Sequence, residues 1–202
     1  MQKCGFDGGG NYYNKYESKN PIVKTLMKRY FQDLDSIILP LKKEVRFALE
    51  IGCGEGYITE HVNDLGINIE GADVSERVIK TAQTIHPTIQ FSECSIYNLK
   101  PLGRMYDLIM ANEVFEHLEN IDDALDEMRN TTKRFLFFSV PNEPYFRFAN
   151  VARLKYLNDL GNTPGHINHW SIRSFKELLQ NSNLTIVDIR PSTLWIMALC
   201  EI

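Results

Sequence analysis

The ten residues Ala48-Leu49-Glu50-Ile51-Gly52-Cys53-Gly54-Glu55-Gly56-Tyr57 do most to limit what this chain can fold into. The run from Val45 to Ile51 reads as a buried strand, and three glycines follow at alternate positions. A helical pattern then opens, with Ile58, Val62 and Leu65 apolar and Glu60, His61 and Asn63 between them. A strand that turns through glycines into a helix lets backbone N–H groups and a helix N-terminus approach a nucleotide-bearing ligand. The spacing narrows the ligand. A dinucleotide fingerprint is G-x-G-x-x-G, and its third glycine would fall at Tyr57. This chain instead has G-x-G-x-G, with the acid Glu50 two residues before the first glycine.

A second element stands at a fitting distance. Ile67 to Ala72 reads as the next strand, and Asp73 closes it, 21 residues after Gly52. A carboxylate about 20 residues beyond the glycine turn is placed to accept both ribose hydroxyls. The bland alternative is that Asp73 only caps the helix that Val74-Ser75-Glu76-Arg77 opens, with Ser75 as its N-cap.

Further strands follow at Ile89–Ser92, Tyr106–Asn112 and Arg134–Val140, with a helix over Ile121–Arg129. Continuous apolar strands alternating with helices predict a parallel sheet covered on both faces, with ligands at the carboxyl ends of the strands. Gly52, Asp73, Ser95 and Glu113 all fall at such ends. Ser174 to Gln180 belongs to the last helix, where Ser174 and Glu177 have capping-box spacing. Thr185–Arg190 and Leu194–Cys200 read as closing strands; the short link through Pro191 permits a hairpin, so the last strand is free to run antiparallel.

The 202 residues suit one domain over 1–202. Within it, residues 1–44 read as an N-terminal lid and helix, the helix running through Ile22, Leu26, Tyr30 and Leu34; Tyr12, Tyr13 and Tyr16 either fold over a ligand as the lid or pack the helix onto the sheet. Residues 141–170 form an insertion rich in aromatic and basic side chains, with a helical face of Val151, Leu154 and Leu157, read as a substrate cover. A formal charge of −4 argues against a nucleic-acid partner held by net charge. No long apolar span suggests a membrane partner. The cysteines Cys4, Cys53, Cys94 and Cys200 lie far apart, which suggests reduced thiols and a cytoplasmic location. Oligomeric state is not legible.

Taken together, Leu49 to Gly56, Gly71-Ala72-Asp73-Val74-Ser75, Tyr106-Asp107-Leu108-Ile109 and Glu113-Val114-Phe115-Glu116-His117-Leu118 resemble class I S-adenosylmethionine-dependent methyltransferases over nearly the whole chain. Among subgroups, the ubiquinone-pathway O-methyltransferases and the small-RNA 3′-terminal 2′-O-methyltransferases share the E-x-x-E-H segment and a later histidine followed by a tryptophan. The resemblance implies an α/β, Rossmann-like, doubly wound sheet of seven strands, mostly parallel with the last antiparallel. It also implies a cofactor set. Glu50, Gly52, Cys53, Gly54, Gly56 and Tyr57 supply the turn, Asp73 and Val74 meet the ribose side, and Ser95 and Ile96 meet the adenine. Asn112 and Glu113 face the methyl group. Relatives commonly carry a carboxylate at the adenine position; this chain has Cys94 and Ser95 there.

Methyl transfer from a sulfonium asks mainly for alignment and exclusion of water. A hydroxyl acceptor also needs a base or a metal to take its proton. His117, His166 and His169 are the candidate bases; His61 and His86 read as structural hydrogen-bonders. Glu113, Glu116, His117 and His166 form a candidate divalent-metal set. The expected activity is methylation of a small-molecule acceptor at a hydroxyl, with S-adenosylhomocysteine as product. Two alternatives stay open: an RNA ribose 2′-O-methyltransferase using the Glu/His metal site, and a non-catalytic cofactor-binding subunit.

Overall fold

The computed structural model describes residue 16, residues 18–143, residue 145 and residues 165–202. The glycine-rich start, Tyr12, Tyr13 and the expected Val151–Leu154–Leu157 helical face lie outside the described residues.

Helix α1 (Pro21–Ile38) enters through Asn20, whose side chain accepts from the Ile22 N–H, with proline at the first helical position. Its buried face is Val23, Met27, Tyr30, Leu34, Ile37 and Ile38. Ile22 is exposed, so the first half of the face lies one residue further along than its apolar pattern suggests. The i, i+4, i+7 series from Val23 is the one that stays on a single stripe with Tyr30 and Leu34.

Strands β1 (Ala48–Ile51), β2 (Ile69–Asp73), β3 (Phe91–Glu93), β4 (Tyr106–Asn112), β5 (Thr132–Pro141), β6 (Thr185–Ser192) and β7 (Trp195–Glu201) form one sheet. Their order is β3-β2-β1-β4-β5-β7-β6. β1 pairs in parallel with β2 and β4, β2 with β3, and β4 with β5. β7 slots antiparallel between β5 and β6. The expected seven-stranded Rossmann-like sheet with an antiparallel last strand is present. The hairpin turns at Thr193, which has φ +54°, and Pro191 is still inside β6.

Strand boundaries shift where backbone bonding overrides apolarity. The Val45 side chain is buried, but its N–H closes onto Leu41 O at 2.9 Å, ending the short 3₁₀ turn over Leu39–Lys43. The ladder therefore starts at Ala48.

Helices α2 (Tyr57–Asp64), α3 (Glu76–Ile85), α4 (Ile121–Thr131) and α5 (Ile172–Asn181) complete the described elements used below. The continuous apolar strands divide their residues between two layers. Leu108, Met110, Phe135 and Phe137 pack with α1 and with Ile58 and Val62 of α2. Ile109, Ala111, Leu136 and Phe138 pack with Leu125 and Met128 of α4 and Phe175 and Leu179 of α5. Two-residue alternation places both sets in the core because each face of the sheet is covered. α5 begins one turn before the expected cap: Ser171 is the N-cap, and it and Ser174 exchange side-chain-to-backbone hydrogen bonds. Serine at the third helical position thus takes the reciprocal role that the Ser174–Glu177 spacing had suggested for glutamate. Among the described residues, no helix is long and apolar enough to cross a membrane.

Candidate functional site

The glycine turn leaves β1 and docks at once on β2. The N–H groups of Gly52 and Cys53 both donate to Ala72 O, at 2.7 and 3.0 Å. Gly56 is the N-cap of α2 at φ +85°, and a Cβ there would stand 2.6 Å from the Phe91 ring. Only glycine combines that left-handed backbone with that approach. Tyr57, where a dinucleotide fingerprint would need its third glycine, is the first residue of α2.

Asp73 ends β2 and is buried. Its Oδ2 accepts from the Gly54 N–H at 3.1 Å and its Oδ1 from the Ser75 N–H at 2.9 Å. One carboxylate therefore joins the glycine turn to the entry of α3. Ser75 itself makes no side-chain cap; Asp73 performs that task as well as closing the turn. Burial raises the Asp73 carboxyl above its ordinary range, while the backbone N–H groups of Ser75, Gly54 and Val74 pull it back down. Val74 beside it is strongly exposed. The Cys94 N–H donates to Asp73 O at 2.9 Å, so the loop carrying Ser95 and Ile96 starts next to the carboxylate. Ser95 is half-buried and its Oγ accepts from the Tyr97 N–H at 3.3 Å; Ile96 is buried. The Cys53 side chain is buried and burial pushes its thiol up, so it stays neutral.

Beneath the turn runs a buried polar chain. The Thr59 hydroxyl of α2 donates to Glu50 Oε2 at 2.5 Å. Asn112 Nδ2, at the end of β4, donates to Glu50 Oε1 at 2.8 Å. The Tyr30 hydroxyl of α1 donates to Asn112 Oδ1 at 3.0 Å. All four side chains are buried. Burial raises the Glu50 carboxyl to about 7, against the lowering effect of its Thr59 and Asn112 donors.

Glu113 follows at φ +55°, a conformation rare for a residue with a side chain. It turns the carboxylate away from the next segment and toward Trp195 of β7, whose indole N–H donates to it. Trp195 meets Tyr30 edge-on, with ring centroids 5.1 Å apart. Tyr16 stacks on Tyr57 at 4.8 Å, and burial first, then the charge of Glu113, raises its hydroxyl pKa well above the usual value. Tyr30 of α1 and Trp195 of β7 thus brace the end of β4, while the Tyr16–Tyr57 stack joins the N-terminal segment to the start of α2.

Three of the four expected metal-set residues come together. Glu116, His117 and His166 each offer a ligand atom, all within 4.8 Å of one another. Glu113 is not in that group, because a short 3₁₀ turn begins only at Phe115 and the left-handed Glu113 precedes it. His117 Nδ1 lies 2.9 Å from Gly165 O, and the His117 and His166 rings meet edge-on at 4.9 Å. The 165–168 segment is pinned there. The N–H groups of Ile167 and Asn168 donate to Glu116 O, and the Asn168 carboxamide donates to Phe115 O and Leu118 O. His169 stands outside the trio, 3.8 Å from the Glu143 carboxylate. His61 and His86 hold structural contacts, with Asp35 and Glu60 respectively.

Reading the sequence missed Tyr30, Thr59, Trp195 and Asn168. Thr59 carried a usable signal, nine residues after Glu50 and just inside the helix that follows the turn. Trp195 and Asn168 carried none, since each meets its partner only through the tertiary fold.

A family model described as a methyltransferase domain matches residues 24–189. The chain is 29% identical over 126 residues to malonyl-[acyl-carrier protein] O-methyltransferase of Halalkalibacterium halodurans, covering 58% of this chain and 46% of that protein. It is 35% identical over 79 residues to the ubiquinone biosynthesis O-methyltransferase of Agrobacterium fabrum, covering 37% of this chain and 31% of that one. The chain therefore matches less than half the length of these curated relatives. Among solved structures, the S-adenosylhomocysteine complex of magnesium protoporphyrin IX methyltransferase from Synechocystis PCC 6803 superposes with a TM-score of 0.66 at 17% identity. That match covers 91% of this chain and 88% of the other. The methyltransferase domain of bacterial CtHen1-CN gives a TM-score of 0.67 at 16% identity, covering 88% of this chain and 100% of the other.

Proposed function

The chain belongs to the methyltransferase-domain family, and from that premise we propose that it moves a methyl group from S-adenosylmethionine to a hydroxyl of a small-molecule acceptor. One observation carries the cofactor part. The buried Asp73 carboxylate sits at the carboxyl end of β2, tied to the N–H of Gly54 in a turn of left-handed glycines. An acid there suits a ribose diol, and the open backbone of the turn suits a close-lying amino acid chain. The relatives described above are O-methyltransferases, which supports an oxygen acceptor; a malonyl group offers a carboxylate, so the hydroxyl is our own narrower reading.

When bound, the cofactor would supply an electrophilic methyl group, whose bond to sulfur would break as the in-line bond to the acceptor oxygen forms, leaving S-adenosylhomocysteine as a neutral thioether. The protein's own share is alignment and proton handling. Asp73 and the Gly52–Gly56 turn would hold the nucleoside and methionine parts, and Val74, Ser95 and Ile96 would meet the adenine. Asn112 and Glu113 line the end of β4 where the methyl group would lie. His117, His166 and His169 are the residues near this end able to take the acceptor's proton when neutral.

The cluster of Glu116, His117 and His166 favours a second version of the same chemistry. One carboxylate and two imidazoles suit a divalent cation, which lowers the pKa of a coordinated hydroxyl. Glu116, His117 and His166 would hold it, and Glu113 would not. This version admits vicinal diols as acceptors, RNA ribose ends included; the formal charge of −4 favours a small molecule over RNA.

The test is a calorimetric titration of S-adenosylhomocysteine into wild type and Asp73→Ala. Low-micromolar to sub-millimolar binding (Kd on the order of 10⁻⁶ to 10⁻⁴ M, about −8 to −5.5 kcal/mol) that disappears in the variant is expected. Wild type that binds NAD and not S-adenosylhomocysteine overturns the reading. Methylation of any compound in an extract separates an enzyme from a cofactor-binding subunit.

A further inference from the structure

The buried polar chain has a member that belongs to neither the glycine turn nor the strand ends. We infer that Tyr30 is a positioning residue for the cofactor end of the site: its hydroxyl satisfies the Asn112 carboxamide oxygen and so holds the amide in place against the Glu50 carboxylate that bridges β1 and α2. The inference rests on the cofactor reading above and adds a residue to it.

Glu50 spans the turn. It lies in β1 two residues before Gly52, and its Oε2 accepts from Thr59 in the helix that follows Gly56. Its Oε1 depends on Asn112. A carboxamide offers two donors on one side and an acceptor on the other, and the Glu50 carboxylate, which only accepts, requires the donor side to face it. With Nδ2 toward Glu50, the Oδ1 atom needs a donor, and the Tyr30 O–H meets it at 3.0 Å. Turned around, Asn112 would set a carbonyl oxygen against the Glu50 carboxylate in a region closed to water. The leftover desolvated acceptor is what makes that arrangement costly.

Tyr30 is also placed to do this rigidly. It is buried on α1, and its ring is braced edge-on by Trp195, which in turn donates to Glu113. Asn112 and Glu113, adjacent at the end of β4, are thus each held by one member of the same aromatic pair. α1 precedes the first strand of the sheet, so a helix outside the repeating strand–helix units governs the polar groups at its centre.

The test is a double-mutant cycle on S-adenosylhomocysteine affinity at pH 8, where Glu50 is ionised, using Tyr30→Phe and Asn112→Ala in the full chain. Phenylalanine keeps the ring, its burial and its contact with Trp195, and removes only the hydroxyl, which faces Asn112 and Ser139. In the wild-type background Tyr30→Phe should weaken binding roughly fivefold to tenfold, the range for one buried hydrogen bond. In the Asn112→Ala background it should change affinity by less than about twofold, because the residue it acts through is gone. A packing role alone predicts equal effects in both backgrounds, and that result overturns the inference. So does a Tyr30→Phe protein that binds like wild type. If Asn112→Ala does not fold, as judged by its thermal transition, Asn112→Ser takes its place in the cycle. Wild type that binds no S-adenosylhomocysteine overturns the cofactor reading and this inference together; binding with an additive cycle overturns this one alone.

Discussion

A side chain added to Gly52 would begin 2.4 Å from the Cγ2 atom of Val114, across the β1–β4 pair. Gly52 also has φ +73°. Gly52→Ala thus meets both a strained backbone and a methyl group that the following loop holds in place. The expected destabilisation is about 2–4 kcal/mol, from left-handed strain together with overpacking. Chemical denaturation reads the stability, and S-adenosylhomocysteine titration should show at least a tenfold loss. A variant with unchanged midpoint and affinity contradicts the tight β1–β4 contact.

Glu50 makes stability depend on pH in a defined direction. Its carboxyl is raised to about 7 in the fold from an ordinary 4.5, so between those values the folded protein holds a proton that the unfolded chain has released. Its contribution is therefore most favourable below about 4.5 and is lost as pH rises to about 7. The full loss is about 3 kcal/mol at 1.36 kcal/mol per pH unit. Asp73 is also raised and acts in the same direction. Denaturant unfolding at pH 5 and pH 8 should show that Glu50→Gln removes most of the fall seen in wild type. An equal fall in both proteins assigns the dependence elsewhere.

Manganese titrated into protein saturated with S-adenosylhomocysteine tests the Glu116–His117–His166 cluster. The expected result is one binding event, abolished in Glu116→Ala/His117→Ala and unaffected by Glu113→Gln, since Glu113 is turned toward Trp195. Binding that needs Glu113 equally would mean that the β4 end rearranges around the ion. No heat in wild type removes the metal version and leaves histidine-assisted transfer.

At the opposite end of the sheet, the buried Tyr106 hydroxyl donates to Glu70 of β2, which also faces Arg104 at 3.6 Å. Burial first, then Glu70, pushes the phenol pKa up. Tyr106→Phe removes the donor and leaves a largely buried carboxylate short of a partner, at a cost of about 1–3 kcal/mol. Because these residues lie at the amino ends of β2 and β4, the thermal midpoint should fall while S-adenosylhomocysteine affinity stays within twofold. A parallel loss of affinity would tie the two ends of the sheet together.

The sheet was legible because its signals are local. Apolar runs, turn glycines and an acid at the end of the second strand each lie within a few consecutive residues, and Asp73 follows from counting. The same local reading misplaced what tertiary contacts decide. Val45 is as apolar as a strand residue, yet its N–H is spent on Leu41. Glu113, Glu116 and His117 are close in sequence, but a left-handed φ at Glu113 sends its carboxylate to Trp195, 82 residues away. Tyr30 was legible as one residue of an apolar helical face; its hydroxyl's role was not, because its partner is on another element.

The placement of β7 between β5 and β6 also has a meaning for synthesis on the ribosome. Residues 195–201 emerge after every other strand, yet they occupy an interior slot and bring Trp195 to Glu113. Until they arrive, β5 and β6 each have a bare hydrogen-bonding edge, and the aromatic brace of Tyr30 is missing. A nascent chain can stack its parallel half as it is made, but its site stays unassembled until the last strand is threaded home, so the interval before that step is when the protein is most open to mispairing with other chains.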